Sequence, residues 1–116
     1  MPLFVASQEG HFEVVRELLA RGVVVDIATN DGLTPLYGAC EEGYLEVVRE
    51  LLARGAAVDI ADNDGWTPLY GACVEGYLEV VRELLARGAA VDTANNDGWT
   101  PLCTCLLYTS PSPRDS

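Results

Sequence analysis

The sequence predicts an all-α repeat solenoid of stacked helix-turn-helix units joined by β-hairpin turns. The motif Asp-Gly-[Leu/Trp]-Thr-Pro-Leu occurs at Asp31–Leu36, Asp64–Leu69 and Asp97–Leu102, with a spacing of 33 residues. Residues 31–63 and 64–96 are also identical at 29 of 33 positions. A fixed period of this length indicates a solenoid, in which each unit buries its apolar face only against its neighbours.

The first helix of each unit is predicted to begin after the threonine of the motif. Thr34 suits a helix N-cap, and Pro35 suits the first helical turn, where its missing N–H costs nothing. Leu36, Ala39 and Cys40 follow at i, i+3 and i+4 and form one apolar stripe. The glycine three residues after this stripe should end the helix.

A second helix is predicted to begin near Leu45, where apolar residues recur at i, i+3 and i+7. Arg54 lies in its last turn, where a cation complements the helix dipole, and Gly55 supplies a left-handed C-cap. An extended segment then leads to a tight turn at Asp64-Gly65. Each helix is shorter than the roughly 12–15 residues needed for marginal stability alone, so stacking must hold them.

Four sequence features of this unit resemble the ankyrin repeat family. They are Gly-x-Thr-Pro-Leu, the Gly-Tyr or Gly-His between the helices, the Glu-Val-Val-x-x-Leu-Leu run, and the Gly-Ala before the turn. The resemblance covers Pro2 to about Leu102. It implies a unit of one hairpin turn and two antiparallel helices.

Two positions depart from the family pattern. Phe4, Tyr37 and Tyr70 stand where the family usually has a histidine after Thr-Pro-Leu, so the hydrogen bonding between threonine and histidine is not available in that form. The usual Gly-His becomes Gly-Tyr at Tyr44 and Tyr77. We expect the fold to tolerate this larger aromatic packing.

The chain divides into repeats and a tail. Residues 1–104 are predicted to be the array: 1–30 a partial repeat, 31–63 and 64–96 full repeats, and 97–104 the start of a further repeat. Residues 105–116 match nothing upstream, and residues 105–115 match a translated transposase-type sequencing adapter, so we interpret this tail as non-native. We expect the natural array to extend beyond both ends.

The composition restricts the class of partner. The net charge is −11, and all seven basic residues are arginines. No basic stripe is present to displace phosphate counterions, which argues against nucleic acid and against anionic membrane surfaces. A protein with a basic surface would be attracted. No stretch is long and apolar enough to span a membrane.

The cysteines are interpreted as structural. Cys40 and Cys73 stand at one equivalent position in adjacent repeats, which lie on the order of 10 Å apart, too far for a disulfide between them. We interpret both as small buried hydrophobes of a reducing compartment, cytoplasmic or nuclear.

No catalytic, metal or cofactor site is predicted. The chain has no lysine, and its one histidine, His11, is replaced by tyrosine in the sister repeats, so it is interpreted as structural. The run Asp62–Gly65 resembles part of a calcium loop but lacks two required ligand positions, at Ile60 and Gly71. We therefore expect a protein that is not an enzyme.

The resemblance implies where a partner would bind. In the ankyrin repeat family, partners are held by the hairpin tips and by the exposed side of the first helix, which together form a concave groove. Three of the four differences between the full repeats fall in this set of positions. The residues at these positions are Gln8, Glu9, Asn30, Asp31, Leu33, Glu41, Glu42, Asp62, Asn63, Asp64, Trp66, Val74, Glu75, Asn95, Asn96, Asp97 and Trp99.

Trp66 and Trp99 stand out within this set. Rigid aromatic side chains ringed by acids are favoured as anchors in protein interfaces. Tryptophan is also common at this position in the family, where it packs over the neighbouring hairpin. Both interpretations remain open from the sequence.

Three functional hypotheses follow. The first is a protein-protein interaction module or scaffold that holds a partner protein on the hairpin tips and the concave face of the first helices. The second is a targeting or regulatory arm of a larger enzyme or channel. The third is a spacer without a specific partner. We expect the parent array to be monomeric and the fragment to self-associate through its apolar ends.

Overall fold

The computed structural model describes residues 2–90 and 96–98, and six helices lie in this part of the chain. They are α1 (Pro2–Gln8), α2 (Phe12–Ala20), α3 (Pro35–Glu42), α4 (Leu45–Ala53), α5 (Pro68–Glu75) and α6 (Leu78–Ala86). The helices of each repeat pack together, first helices contact the first helices of the next repeat, and second helices contact second helices. No strand occurs among the described residues, so the all-α repeat solenoid is confirmed.

The predicted capping signals set the helix bounds. The Oγ1 atom of Thr34 accepts a hydrogen bond of 3.2 Å from the backbone N–H of Tyr37, and the N-cap of α5 is built in the same way. Gly43 ends α3 in the left-handed region, with φ of 79°. Arg54 lies one residue beyond the end of α4 as its C-cap, and Gly55 follows with φ of 92°. Both predicted helix ends are therefore confirmed to within one residue.

Tyr44 and Tyr77, which replace the histidine of the family's Gly-His pair, pack over glycines of the preceding repeat. An added Cβ atom at Gly10 would lie 2.7 Å from Cε1 of Tyr44, and one at Gly43 would lie 2.8 Å from Cδ1 of Tyr77. Each glycine therefore supplies both a positive φ and the space for the next tyrosine ring. The fold accommodates the larger aromatic packing, as expected.

Three positions of the first helices are buried in every repeat, and one of them carries a different kind of side chain in the first repeat. Leu3, Leu36 and Leu69 are equivalent leucines of the first helices, and all three are buried. Ser7 is the exception, because it stands at the position of Cys40 and its fully buried hydroxyl has no hydrogen-bond partner. A buried polar group without a partner lowers stability, so the first repeat is packed less favourably than its sisters at this position.

Neighbouring hairpin turns are joined by an asparagine ladder. The backbone N–H of Asn63 donates to the carbonyl of Asp31 at 3.0 Å, and its Nδ2 donates to the carbonyl of Asn30 at 2.9 Å. Asn96 repeats both bonds one unit later, to Asp64 at 3.0 Å and to Asn63 at 3.1 Å. One asparagine per repeat therefore fixes the spacing of the turns.

A second ladder lies at the end of each helix pair. Both carboxylate oxygens of Asp26 accept from the backbone N–H of Ala57 at 3.1 Å. Asp59 and Ala90 form the same contact at 3.2 Å. Hydrogen bonds to a charged acceptor are stronger than those between neutral groups, so these contacts add to the coupling of adjacent repeats.

The second helices are joined by an ion pair across repeats. Nε of Arg49 lies 3.4 Å from a carboxylate oxygen of Glu83, and Arg87 contacts the other oxygen of Glu83 at 3.5 Å. Glu46 stands three residues before Arg49 in the same helix, yet Arg49 pairs with the less exposed Glu83 of the next second helix. The pair of Glu50 and Arg54 forms as its spacing indicated, at 3.0 Å.

The two equivalent cysteines differ in state. Cys40 is a free thiol, fully buried, and its burial raises the pKa of the thiol. Cys73 is buried as well but is disulfide-bonded. The interpretation of both as reduced residues is therefore wrong for Cys73, because the distance argument excluded only a bond between Cys40 and Cys73.

Replacing Gly32 by alanine tests the close approach of the turns. An added Cβ at Gly32 would lie 2.6 Å from Oδ1 of Asn63 and 2.9 Å from its backbone nitrogen. We expect Gly32→Ala to lose about 1–2 kcal/mol from its positive φ and roughly 1–3 kcal/mol more from overpacking, measured by urea unfolding. The matched control is Gly22→Ala, which has a similar φ of 88° and open space around the new methyl group. Equal losses in the two variants would contradict the tight packing of the turns.

Candidate interaction surface

The hairpin surface, as we define it, consists of the turns at residues 29–33, 62–66 and 96–98 and the last turn of each first helix. Asn95 and Trp99 of the predicted set lie outside the described residues. Gln8, Leu33, Glu41, Asp62, Trp66 and Val74 are half-buried. The exposed members are Glu9, Asn30, Asp31, Glu42, Asn63, Asp64, Glu75, Asn96 and Asp97.

The turns at residues 29–33 and 62–66 are each built around one side-chain acceptor. Oδ1 of Asp62 accepts from the backbone N–H groups of Asp64 and Trp66, both at 2.9 Å. Oγ1 of Thr29 does the same in the preceding turn, at 3.2 Å from Asp31 and 3.1 Å from Leu33. Side chains of this kind stabilise turns by bonding their own backbone. The Asp62 carboxylate is therefore committed to the scaffold of the hairpin surface.

Tyr37 links the same carboxylate to the core. The Asp62 side chain accepts a hydrogen bond from the Tyr37 hydroxyl. Burial raises the pKa of the Tyr37 phenol far above its usual value, and the negative charge of Asp62 raises it further. Tyr37, which stands where the family usually has a histidine after Thr-Pro-Leu, thus remains a neutral hydrogen-bond donor. It connects α3 to the following turn.

Four predicted acids lie close enough to repel one another. Burial raises the pKa of Glu41, and the neighbouring charges of Glu42, Glu75 and Asp62 raise it further, in that order. The next repeat has Val74 in place of Glu41. Because Val74 stands where the preceding repeat has a glutamate, the cluster of negative charges does not continue at this position. An apolar side chain lies beside the cluster instead.

Trp66 stacks on Tyr70 of its own repeat. The ring centroids lie 3.4 Å apart, and the planes are inclined by 18°. The sequence prediction missed Tyr70, although its spacing of four residues from the tryptophan was a usable signal. A stacked ring loses little conformational freedom on binding, so the pair presents Trp66 in a defined orientation.

Charge is segregated between the two sides of the array. Each second helix with its C-cap residue carries two glutamates and two arginines, which neutralise one another. The six arginines of these helices all form ion pairs with glutamates of the second helices. Of the 18 acids in the chain, six belong to these helices, and Asp115 is offset by Arg114. The remaining eleven account for the whole net charge, and the ten of them that the structure describes lie on the ends of the first helices and in the connecting segments.

The surface depressions on the side of the second helices are less suited to binding a partner than the hairpin surface is. One is lined by Phe12 and by the ion-paired side chains of Arg49, Glu83 and Arg87. Docking a charged partner there would compete with contacts that already exist. On this side of the array, each of the six arginines already contacts a glutamate of a second helix.

Among the described residues, no group of three or more histidine, cysteine, aspartate and glutamate side chains is arranged to hold a metal ion. None of the helices described is long and apolar enough to cross a membrane.

Comparison with known proteins identifies the repeat type. The family described as ankyrin repeats (3 copies) matches residues 1–62 and residues 50–112, so the two matches together span nearly the whole chain. No curated protein matches the sequence significantly.

Replacing Glu41 by glutamine tests the acidic cluster through the pH dependence of stability. Because the folded-state pKa of Glu41 is raised, the native state holds this proton at a pH at which the unfolded chain has lost it. The contribution of Glu41 to the free energy of unfolding should therefore fall as the pH rises from about 4.3, the ordinary pKa of glutamate, through the raised pKa. Glu41→Gln removes this contribution and should flatten the fall, measured by urea unfolding between about pH 4 and pH 7.

Glu13→Gln is the matched control, since the Glu13 side chain is 83% exposed and faces Arg16 on a second helix. It should leave the fall in stability in place. Identical pH profiles for the wild type and Glu41→Gln would contradict the cluster.

Proposed function

The chain belongs to the ankyrin repeat family, and we propose that it is an interaction module that binds a partner protein on its hairpin surface. Ankyrin repeats are generally protein-protein interaction modules. The binding residues proposed here are the exposed members of the hairpin surface together with Trp66 and Val74. The partner we propose presents a basic surface.

The segregation of charge carries this proposal. The second helices are internally neutralised, whereas Glu9, Glu42, Asp64 and Glu75 are exposed acids without an ion pair among the described residues. A surface of one sign attracts an oppositely charged partner and raises its rate of association. A basic protein surface is therefore favoured over nucleic acid or an anionic membrane, which this charge repels.

Apolar contact would supply the affinity that charge alone does not. Trp66 is half-buried and stacked on Tyr70, and Val74 lies on the following helix where its sister repeat has a glutamate. Tryptophan is enriched among the residues that contribute most to binding in interfaces. The second full repeat, residues 64–96, is therefore the proposed anchor, and the acids around it would orient the partner.

No catalytic role is proposed for the chain. The fold is an interaction fold in its family. The Asp62 carboxylate accepts hydrogen bonds from its own turn, and the Tyr37 hydroxyl donates to Asp62. Both groups are therefore engaged in the scaffold of the hairpin surface.

An intracellular location, cytoplasmic or nuclear, remains our prediction. The buried free thiol of Cys40 is in keeping with it, and the disulfide of Cys73 stands against a uniformly reduced protein. Fluorescence microscopy of the tagged chain would locate it.

Selection of binders from a random peptide library displayed on phage tests the proposed surface. We expect the selected peptides to combine lysine or arginine with an aromatic or branched apolar residue. Their affinity should fall about 30-fold or more in Trp66→Ala, since truncating an anchor costs about 2 kcal/mol or more. Their association rate should also fall as salt is added, measured by surface plasmon resonance.

The control variant is Leu78→Ala, because Leu78 is a large apolar side chain, 57% exposed, on a second helix. It should leave binding unchanged. Unchanged affinity in Trp66→Ala with intact helicity would reject the anchor, and an equal loss in Leu78→Ala would reject the hairpin surface as the binding site.

A further inference from the structure

Two neighbouring positions on the hairpin surface differ in chemistry although their repeats are nearly identical. Glu41 near the end of α3 and Val74 near the end of α5 are equivalent residues, and both are half-buried. Each repeat therefore offers a partner a contact of a different kind. We name these contacts the acidic site, around Glu41, and the apolar site, around Val74.

The acidic site contains four carboxylates and no cation. The negative charges of Glu42, Glu75 and Asp62 all act on Glu41. None of the ion pairs among the described residues includes any of these four acids. A cationic side chain of a partner would offset this repulsion and would donate hydrogen bonds to charged acceptors. The acidic site therefore favours arginine or lysine.

The apolar site is continuous with the tryptophan proposed as the anchor. Trp66 stacks on Tyr70, and Val74 follows Tyr70 by four residues on α5, so both of these helix residues lie on one face. All three side chains are half-buried, and each therefore keeps apolar surface in contact with solvent. Covering this surface is favourable, so the apolar site favours a bulky apolar side chain.

The packing of α3 against α5 fixes the distance between the two sites. A Cβ atom added to Gly71 of α5 would lie 3.6 Å from both Cα and Cβ of Glu41 on α3. Nothing larger than a glycine separates the two helices at this point. Because the axes of packed helices are roughly 8–10 Å apart, equivalent residues of the two repeats are separated by about the same distance.

The polyproline II conformation matches this distance best among the regular conformations of a partner segment. It has three residues per turn and a rise of about 3.1 Å, so side chains three positions apart lie on one face and roughly 9 Å from each other. A β-strand presents one face at every second residue, which gives roughly 7 Å or 13 Å. An α-helix brings side chains seven positions apart onto one face, at about 10.5 Å.

We propose that the hairpin surface binds a polyproline II segment in which an arginine or lysine stands three positions from a bulky apolar residue. The basic side chain occupies the acidic site, and the apolar side chain occupies the apolar site. This inference rests on the partner binding proposed for the hairpin surface, and it adds the conformation and the spacing that the partner must have. Glu41 and Val74 are then the residues that determine specificity.

Fluorescence anisotropy with labelled synthetic peptides tests the spacing. Three peptides each carry one arginine and one leucine in a host of proline and serine, at separations of two, three and four positions, so composition and net charge stay constant. The separation of three should give binding about tenfold tighter than the other two, because a wrong separation leaves one contact unmade. A fourth peptide separates the two residues by seven positions in an alanine-rich helical host.

Equal affinity at separations of two, three and four would overturn the inference, and so would tightest binding by the helical peptide. In both cases a loss of affinity in Trp66→Ala would leave the hairpin surface standing as the binding site. Failure of all four peptides, while peptides selected from the random library do bind this surface, would overturn the inference alone. Failure of both sets of peptides would overturn the proposed function as well.

Val74→Glu tests the assignment of specificity, and we expect the fold to tolerate it because the sister repeat has a glutamate at this position. A peptide with two arginines three positions apart should gain about tenfold in affinity relative to the arginine and leucine peptide. Leu78→Glu adds the same charge on a second helix, where Leu78 is 57% exposed, and should leave this ratio unchanged. Equal shifts in both variants would overturn the assignment, because net charge alone would then decide the preference.

Discussion

The contact between successive repeats is the constraint on which the rest of this structure depends. None of the six described helices exceeds nine residues, so each is too short to be stable in isolation. The stacking contacts compensate for this. The backbone N–H groups of Ala57 and Asn63 find their acceptors in the repeat before, and Leu36 and Val48 are buried completely.

Because successive repeats must stack, some residues of the hairpin surface form its scaffold, and others are left for a partner to contact. Asp62 holds the turn and Tyr37, and the side chain of Asn63 reaches back to the preceding turn. Their polar atoms serve the scaffold although both residues belong to the predicted binding set. The side chains of Trp66 and Val74 take no part in the two hydrogen-bond ladders. They stand at two of the four positions at which the full repeats differ.

The helices could be predicted from signals between residues that are close in the sequence. Contacts between residues one repeat apart could not be predicted from those signals. Thr34, Pro35 and Gly43 act on neighbours three or four residues away, so the bounds of α3 could be predicted from them. Arg49 bonds Glu83, and Asp26 bonds Ala57, at separations of 34 and 31 residues. No local pattern indicates such pairs. The 33-residue period could have indicated them, had equivalent positions of adjacent repeats been considered as neighbours. The stack of Trp66 on Tyr70 depends on the path of the turn, which periodicity does not supply.

Native-state hydrogen exchange of the Ala57 and Asn63 amides tests most directly whether stacking holds the array together. Each of these amides bonds an acceptor in the preceding repeat, so its protection measures the contact between repeats. The amide of Val48 bonds the carbonyl of Tyr44 at the start of its own helix and serves as the internal reference. If stacking holds the array, the three amides should exchange with the same free energy and the same dependence on denaturant. Exchange of Ala57 and Asn63 at the rate of a surface loop, with Val48 still protected, would contradict this account.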